Sequence, residues 1–152
     1  MQALNFPAIS AATRTTNGRT EIFDPVRKIY IALTPEEWVR QHLVHYLMND
    51  RLVPAGLIAI EKKIVVNKLS KRYDVVVYKP DGTPVMIVEC KAPSVKISSE
   101  TFNQALRYNL ALNIRFLLLT NGLTHFCFML DYENQSSSLM DRIPNFDLLC
   151  AS

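Results

Sequence analysis

Asp74, Glu89 and Lys91 are the residues of this 152-residue chain whose types and spacing could do chemistry together. Between the two acids lies Asp81-Gly82, a pair suited to a tight hairpin turn. With those two residues as the turn, Val76 faces Ile87 across the ladder and Asp74 faces Glu89. Directly opposed residues hold their Cβ atoms roughly 4.5–5.5 Å apart, so both carboxylates are expected on one face of a sheet. Alternation along the strand adds Lys91 to that face and turns Cys90 to the other. Pro80 and Pro84 flank the turn; a longer loop is compatible with the same register, whereas a bulge would spoil it.

Opposed carboxylates repel by roughly 3 kcal/mol at 5 Å and an effective dielectric of about 20. A divalent cation offsets this directly, and Mg²⁺ suits a site of one or two carboxylates completed by waters and phosphate oxygens. Such an ion acidifies a bound water and stabilises charge on a phosphoryl group, and Lys91 adds a positive charge beside it. The chemistry implied is metal-dependent cutting of a phosphodiester.

Glu-x-Lys is weak alone, because chance gives about 0.7 acid-x-Lys triplets in a chain of this composition. A second copy, Glu61-x-Lys63, has no acid set across a tight turn and reads as surface charge. The competing reading of Asp74, Glu89 and Lys91 is a solvated salt-bridge cluster with Arg72. Residues 85–88 are all apolar, so the charges stand where a buried strand ends.

The elements that must position these residues are legible. Thr34-Pro35-Glu36-Glu37 is a helix start, with a capping Thr, Pro at the first position and acids in the first turn. Val39, Leu43 and Leu47 give that helix an apolar face, with Trp38 and Tyr46 beside it, and it should end near Asn49-Asp50. Leu57–Val66, Arg72–Tyr78 and Val85–Lys91 are rich in β-branched residues and read as strands. Ser98 or Ser99 caps a second helix with Phe102, Ala105, Leu106 and Leu110 facing the core. Ile114–Thr120 suits a strand covered on both faces. Asn121-Gly122 predicts a two-residue turn into Leu123–Leu130, and Glu133–Ser138 a polar loop. The fold class is therefore α/β, a mixed central β-sheet flanked by helices in the order α-β-β-β-α-β-β. Residues 1–20, polar with an Asn17-Gly18 turn, are expected as an arm or loose hairpin, and 21–152 as one domain.

Composition sets the bounds. Hydrophobic content of 49% and charged content of 20% describe an ordinary globular chain, and a formal charge of +3 does not by itself imply nucleic acid. Between Glu61 and Lys96, eight basic residues stand against four acids, an excess that could steer a polyanion or line a solvated sheet edge. Three cysteines without a CxxC pair argue against a disulfide framework or zinc site. With no secretory signal and no apolar run of membrane length, a cytoplasmic location is expected. His42 and His45, three apart on the first helix, have no evident third metal ligand and read as packing. His125 reads as structural, and no Ser or Cys nucleophile has a visible base partner.

An acid at the start of one strand, Glu-x-Lys ending the next and a flanking helix resemble the PD-(D/E)xK nuclease superfamily, over roughly residues 22–147. Four segments narrow it: Leu33-Thr34-Pro35-Glu36-Glu37-Trp38-Val39-Arg40-Gln41, Arg72-Tyr73-Asp74, Glu89-Cys90-Lys91-Ala92-Pro93 and Thr120-Asn121-Gly122. Together they look like the N-terminal nuclease domain of type I restriction enzyme R subunits. Gln104 and Tyr108 match the Gln-x-x-x-Tyr motif of nucleases coupled to recombination helicases. Residue 73 is Tyr where the superfamily motif has Pro.

The resemblance implies a restriction-endonuclease-like core in which Asp74 and Glu89 hold Mg²⁺, with Mn²⁺ as a substitute and the Cys90 carbonyl as a further ligand. It gives Lys91 the task of assisting the attacking water and offers Glu37 or Glu36 as an acid from the first helix. Gln104 and Tyr108, on one helical face, would orient the site or touch the nucleic-acid backbone together with Arg72; the alternative is a polar cap over the sheet edge. A motor needs Gly-x-x-x-x-Gly-Lys-Ser/Thr, and none of the four glycines begins one, so a stand-alone domain without the motor is expected. DNA, motor or specificity subunits and a second copy of the chain are the partners implied. The leading expectation is a Mg²⁺-dependent DNA endonuclease. The others are a non-catalytic nucleic-acid-binding or assembly module of a defence system, and an α/β domain with surface salt bridges alone.

Overall fold

The Thr34-Pro35 start signal builds the helix it predicts. In the computed structural model, which describes residues 1–151, α1 runs Pro35–Asn49, and Thr34 Oγ1 accepts the Glu37 amide at 3.1 Å. Val39, Leu43, Val44 and Leu47 are fully buried along its apolar face. Burial of each such side chain is worth about 1.5–3 kcal/mol.

Ahead of α1 stands a three-stranded antiparallel sheet, β1 (Thr13–Thr16), β2 (Arg19–Asp24) and β3 (Ile29–Ala32). Asn17 and Gly18, both at positive φ, make the turn between β1 and β2, so the hairpin spans residue 20. Residues 2–6 lie against the domain: the Gln2 carbonyl accepts the Trp38 indole N–H at 2.8 Å, and the Asn5 amide donates to the Gly122 carbonyl at 2.7 Å.

After α1 come β4 (Ile58–Val66), β5 (Leu69–Tyr78), β6 (Pro84–Cys90), α2 (Ser99–Asn109), β7 (Phe116–Thr120), β8 (His125–Asp131), β9 (Ser136–Leu139) and a short α3 (Phe146–Cys150). The six strands form one sheet in sequence order, antiparallel except for β6–β7. The expected α-β-β-β-α-β-β order is present, with β9 and α3 added. Every residue of β7 is buried, as its unbroken apolar run requires. Two cores result. Val75, Val77, Val88, Phe116 and Leu118 pack with α1 and α3, while Val76, Ile87, Leu117 and Leu119 pack with Ala105 of α2.

Four local readings need correction. Asp81-Gly82 is not a two-residue turn: Tyr78 pairs with Pro84, the Lys79 amide donates to the Thr83 carbonyl at 2.8 Å, and Asp81 Oδ1 accepts the Thr83 amide at 2.9 Å. Val77 pairs with Met86, so Val85 is the extra residue of a bulge, and the bulge restores the expected pairing of Val76 with Ile87. Likewise Thr120 pairs with His125 across a four-residue loop, because Asn121 Oδ1 accepts the amides of Leu123 and Thr124 and so widens the turn. Leu110 is 59% exposed, since α2 ends at Asn109 and the chain turns away from the core. Ser136–Ser138 belong to β9, an edge strand whose backbone pairing with β8 overrides its polar side chains.

Candidate functional site

The β5–β6 ladder ends at Val75 and Val88, one step short of the carboxylates. Beyond it the Cys90 amide donates to Asp74 Oδ2 at 2.7 Å, and the Lys91 amide turns to β7, donating to the Thr120 carbonyl at 2.8 Å. Asp74 and Glu89 therefore stand at a fork between two strands.

Strict alternation fails at this fork. Val75 and Val77 pack on the α1 side and Val76 on the α2 side, yet Tyr73 also packs on the α2 side. The same exchange occurs in β4, where Ile58 and Ile60 pack on the α1 side and Ile64 on the other. Glu61, at φ 51, sits at the exchange in β4, and the flanking pairs Ile60–Val75 and Lys62–Tyr73 place it beside Asp74. The expectation of one shared face gives way to a different geometry. Asp74 makes its contacts toward α1, and Glu89 makes its contact with Lys71, whose ammonium also lies over the rings of Tyr73 and Tyr108.

Arg40 of α1 holds the Asp74 side of the fork. Its Nη1 is 3.2 Å from Asp74 Oδ1 and 3.6 Å from a Glu61 carboxylate oxygen, while its Nε and Nη2 grip both oxygens of Glu37. Burial works against the Arg40 charge, but the Glu37 hydrogen bonds and the charges of Glu37 and Asp74 outweigh it. The network continues inward. Gln41 Nε2 donates to Glu37 and to the fully buried Asp24, and Arg27 joins Asp24 at 2.8 Å and Glu61 at 3.1 Å. Burial pushes Asp74 up to about 6, the Glu89 and Glu36 charges adding to it and the Cys90 amide and Arg40 opposing.

At Glu89, Lys71 Nζ is 2.7 Å from Oε1, so the carboxylate is ion-paired. The Lys91 ammonium has no ion-pair partner among the described residues. Arg72 is exposed and likewise unpaired, so the cluster with Arg72 that competes with a metal site does not form; Lys71 and Arg40 take its place.

The structure thus gathers Asp74, Glu89, Cys90 and, through Arg40, Glu37. Tyr108 reaches the same corner through Lys71. Gln104 lies exposed on α2, with no hydrogen bond among the described residues. Sequence reasoning missed Arg40, Gln41, Arg27 and Asp24. The available signal was Glu37, Arg40 and Gln41, polar residues at helical spacing whose face runs on into buried Val44. Glu61 is about half exposed, but its two arginine partners make it part of the fork as well as surface.

The remaining candidates are structural. The His42 ring is buried and bonds the Trp38 carbonyl, with burial lowering its pKa; burial also lowers that of His45, which is half-buried and has no hydrogen bond on its Nε2 among the described residues. His125 joins Thr120 Oγ1 and the Asn5 carbonyl, each at 2.7 Å. All three cysteines are free, and burial pushes the Cys90 thiol far above its ordinary value, unsuited to act as a nucleophile. No three His, Cys, Asp or Glu side chains converge on a metal position among the described residues. Asp74 and Glu89 offer hard oxygen donors of the kind Mg²⁺ uses, and the Glu89 charge is near enough to Asp74 to help raise its pKa. No helix among the described residues is long and apolar enough to cross a membrane.

Comparison with known proteins agrees with this architecture. No curated protein matches the chain. The fold is shared with the fragment structure of a candidate HsdR subunit of a type I restriction enzyme from Vibrio vulnificus YJ016, with a TM-score of 0.56 and 22% identity. That match takes in 77% of this chain and 24% of the Vibrio chain, so the chain spans about a quarter of that relative's length. A candidate nuclease of DUF820 from Anabaena variabilis ATCC 29413 has a TM-score of 0.51 at 13% identity, over 97% of this chain and 88% of the other. The family model described as type I restriction enzyme R protein N terminus matches residues 35–144, from the first residue of α1 across the fork and past the last strand. The chain belongs to the family of type I restriction enzyme R protein N termini.

Proposed function

We propose that this chain is a Mg²⁺-dependent nuclease domain of the PD-(D/E)xK type that hydrolyses phosphodiester bonds within DNA, in the cytoplasm, alongside motor or specificity subunits. The carrying observation is the fork: a partly buried Asp74 whose pKa is raised by burial and by the Glu89 charge, with Lys91, two residues beyond Glu89, lacking an ion-pair partner among the described residues. In this reading Asp74, Glu89 and the Cys90 carbonyl hold the ion. The bound ion supplies an acidified water and neutralises charge on the phosphoryl group. The Cys90 amide and Arg40 fix the Asp74 carboxylate from two sides, so its orientation does not depend on the ion. Lys91 contributes a positive charge where the attacked phosphate gathers negative charge. Tyr108 supports the corner through Lys71, and Gln104 and Arg72 contact the strand from outside.

The test is cleavage of plasmid and of single-stranded DNA with Mg²⁺ or Mn²⁺, beside Lys91→Ala. Metal-dependent nicking lost in Lys91→Ala is expected. Absence of both cleavage and calorimetric metal binding would overturn the reading.

A second reading has its own support. Asp74 and Glu89 each already have a cation, Arg40 and Lys71, so the fork is electrostatically tolerable without a metal. A non-catalytic module of a restriction system that keeps the fold needs no more. Metal binding without turnover, even with partner subunits present, would favour it.

A further inference from the structure

The β4–β5 ribbon runs past the fork as a two-stranded hairpin, turning at Asn67-Lys68 between paired Val66 and Leu69. From Lys62 to Arg72 it carries five cations and no acid. Lys71 is committed to Glu89, but Lys62, Lys63, Lys68 and Arg72 have no ion-pair partner among the described residues. Glu61 at the base is already engaged by Arg27 and Arg40.

Lys63 and Arg72 are direct cross-strand partners, and Val65 pairs with Ser70 one step toward the tip. Alternation sets these four exposed residues on one face, turned away from Lys71 and Ile64, which belong to the α2 side. Like charges directly opposed across a ladder are destabilising, so this face is built at a disadvantage that an anion lying across it removes.

Resting on the nuclease reading above, we propose that the Lys63–Arg72 face of this ribbon grips the phosphate backbone of duplex DNA and leads one strand to the Asp74–Glu89 fork. A two-stranded ribbon matches the width of a duplex major groove. From Lys62 to Arg72 the ribbon contains no aromatic residue on which unpaired bases could stack, which sets it against a single-stranded ligand. Exposed Val65 gives the tip an apolar contact rather than a further charge.

The test is fluorescence anisotropy of a labelled duplex of about 25 base pairs with the full chain in EDTA, titrated with salt, for wild type, Lys63→Ala/Arg72→Ala and the control Lys28→Ala. Two lost phosphate contacts reduce the slope of log K against log salt by about 2 and weaken binding at least tenfold at low salt. Lys28→Ala leaves both unchanged. Thermal unfolding of the double variant at or above the wild-type temperature excludes misfolding, since both opposed charges are removed at exposed positions. An unchanged slope in the folded double variant overturns the proposal, as does wild-type preference for single-stranded over duplex DNA. The readout needs no cleavage. Slope loss in a chain that never cuts refutes the nuclease reading alone, whereas metal-dependent cutting with an unchanged slope refutes the ribbon alone.

Discussion

Arg40 Nη1 reaches Asp74 Oδ1 at 3.2 Å while the rest of the same guanidinium grips Glu37. One cation therefore serves a buried helix acid and a strand acid at once. Its side chain is 8% exposed and that of Glu37 6%, so neither charge has water to fall back on. Removing one partner of a buried pair costs about 3–5 kcal/mol. Arg40→Met should destabilise the protein by about that amount in urea unfolding. Arg40→Lys keeps the charge but cannot bridge both oxygens of Glu37 and Asp74 together, and should fall between. Equal stability of wild type and Arg40→Met would show the bridge to be energetically idle.

Asp74 gives a pH prediction. Its folded pKa of about 6 lies above the ordinary 3.8, with burial the main cause. The folded state then holds the proton more tightly than the unfolded state, so stability falls as pH rises from about 4 to about 6. A shift of this size is worth on the order of 2–3 kcal/mol. In EDTA, Asp74→Asn should exceed wild type in stability at pH 8, less what is lost with Arg40, and the gap should close by pH 4. A gap that widens toward pH 4 would contradict the burial account.

Lys71 sets a metal prediction that depends on the nuclease reading. Its ammonium stands 2.7 Å from a Glu89 oxygen and competes with any cation for that carboxylate. A partly exposed pair of this kind is worth up to about 1 kcal/mol. Lys71→Ala should tighten Mg²⁺ binding by about fivefold in calorimetry, whereas Glu89→Gln should weaken it by at least about tenfold. Weaker Mg²⁺ binding in Lys71→Ala would mean that Lys71 orients the carboxylate rather than blocking it.

How far these residues could be read from sequence differs with the range of the interaction. The α1 start was legible because Thr34, Pro35 and Glu37 act within one turn. The Val76–Ile87 pairing was legible for a less secure reason: a longer turn and a bulge at Val85 offset each other, and only their sum was inferred. The break in alternation at Asp74 was not legible, because it needs Glu61 at positive φ, and that residue's special position appears only once β4 and β5 are paired. Arg40 was hidden for a similar reason. A charged residue on a helix is solvated by default, and its three carboxylate partners come from positions far apart in the chain. Glu89 and Lys91 could be named from spacing, but the cation opposite Glu89 is fixed by strand register alone.

His125 supplies the last prediction, on the N-terminal segment. A consistent proton arrangement has Nε2 donating to the Asn5 carbonyl and Thr120 Oγ1 donating to Nδ1, with the ring tilted against Phe6 at a centroid distance of 4.2 Å. The Thr120 bond requires the neutral ring, whereas the bond to Asn5 survives protonation and opposes the burial that lowers the pKa. The stability it contributes is present above the ordinary value of 6.5 and is lost as pH falls through that value toward the lowered one. Gly122 closes the same contact: a Cβ there would meet Leu4 Cδ2 at 2.8 Å, and φ of +86 disfavours any side chain. His125→Ala and Gly122→Ala should each cost about 1–3 kcal/mol at pH 8. Both should raise hydrogen exchange at the Asn5 amide, which donates to the Gly122 carbonyl. The deficit of His125→Ala should shrink below pH 6 while that of Gly122→Ala persists, because only the first removes a titrating group. A pH-independent deficit in both would show that the ring's packing on Phe6 and its bond to Asn5, and not the Thr120 bond, hold residues 2–6 in place.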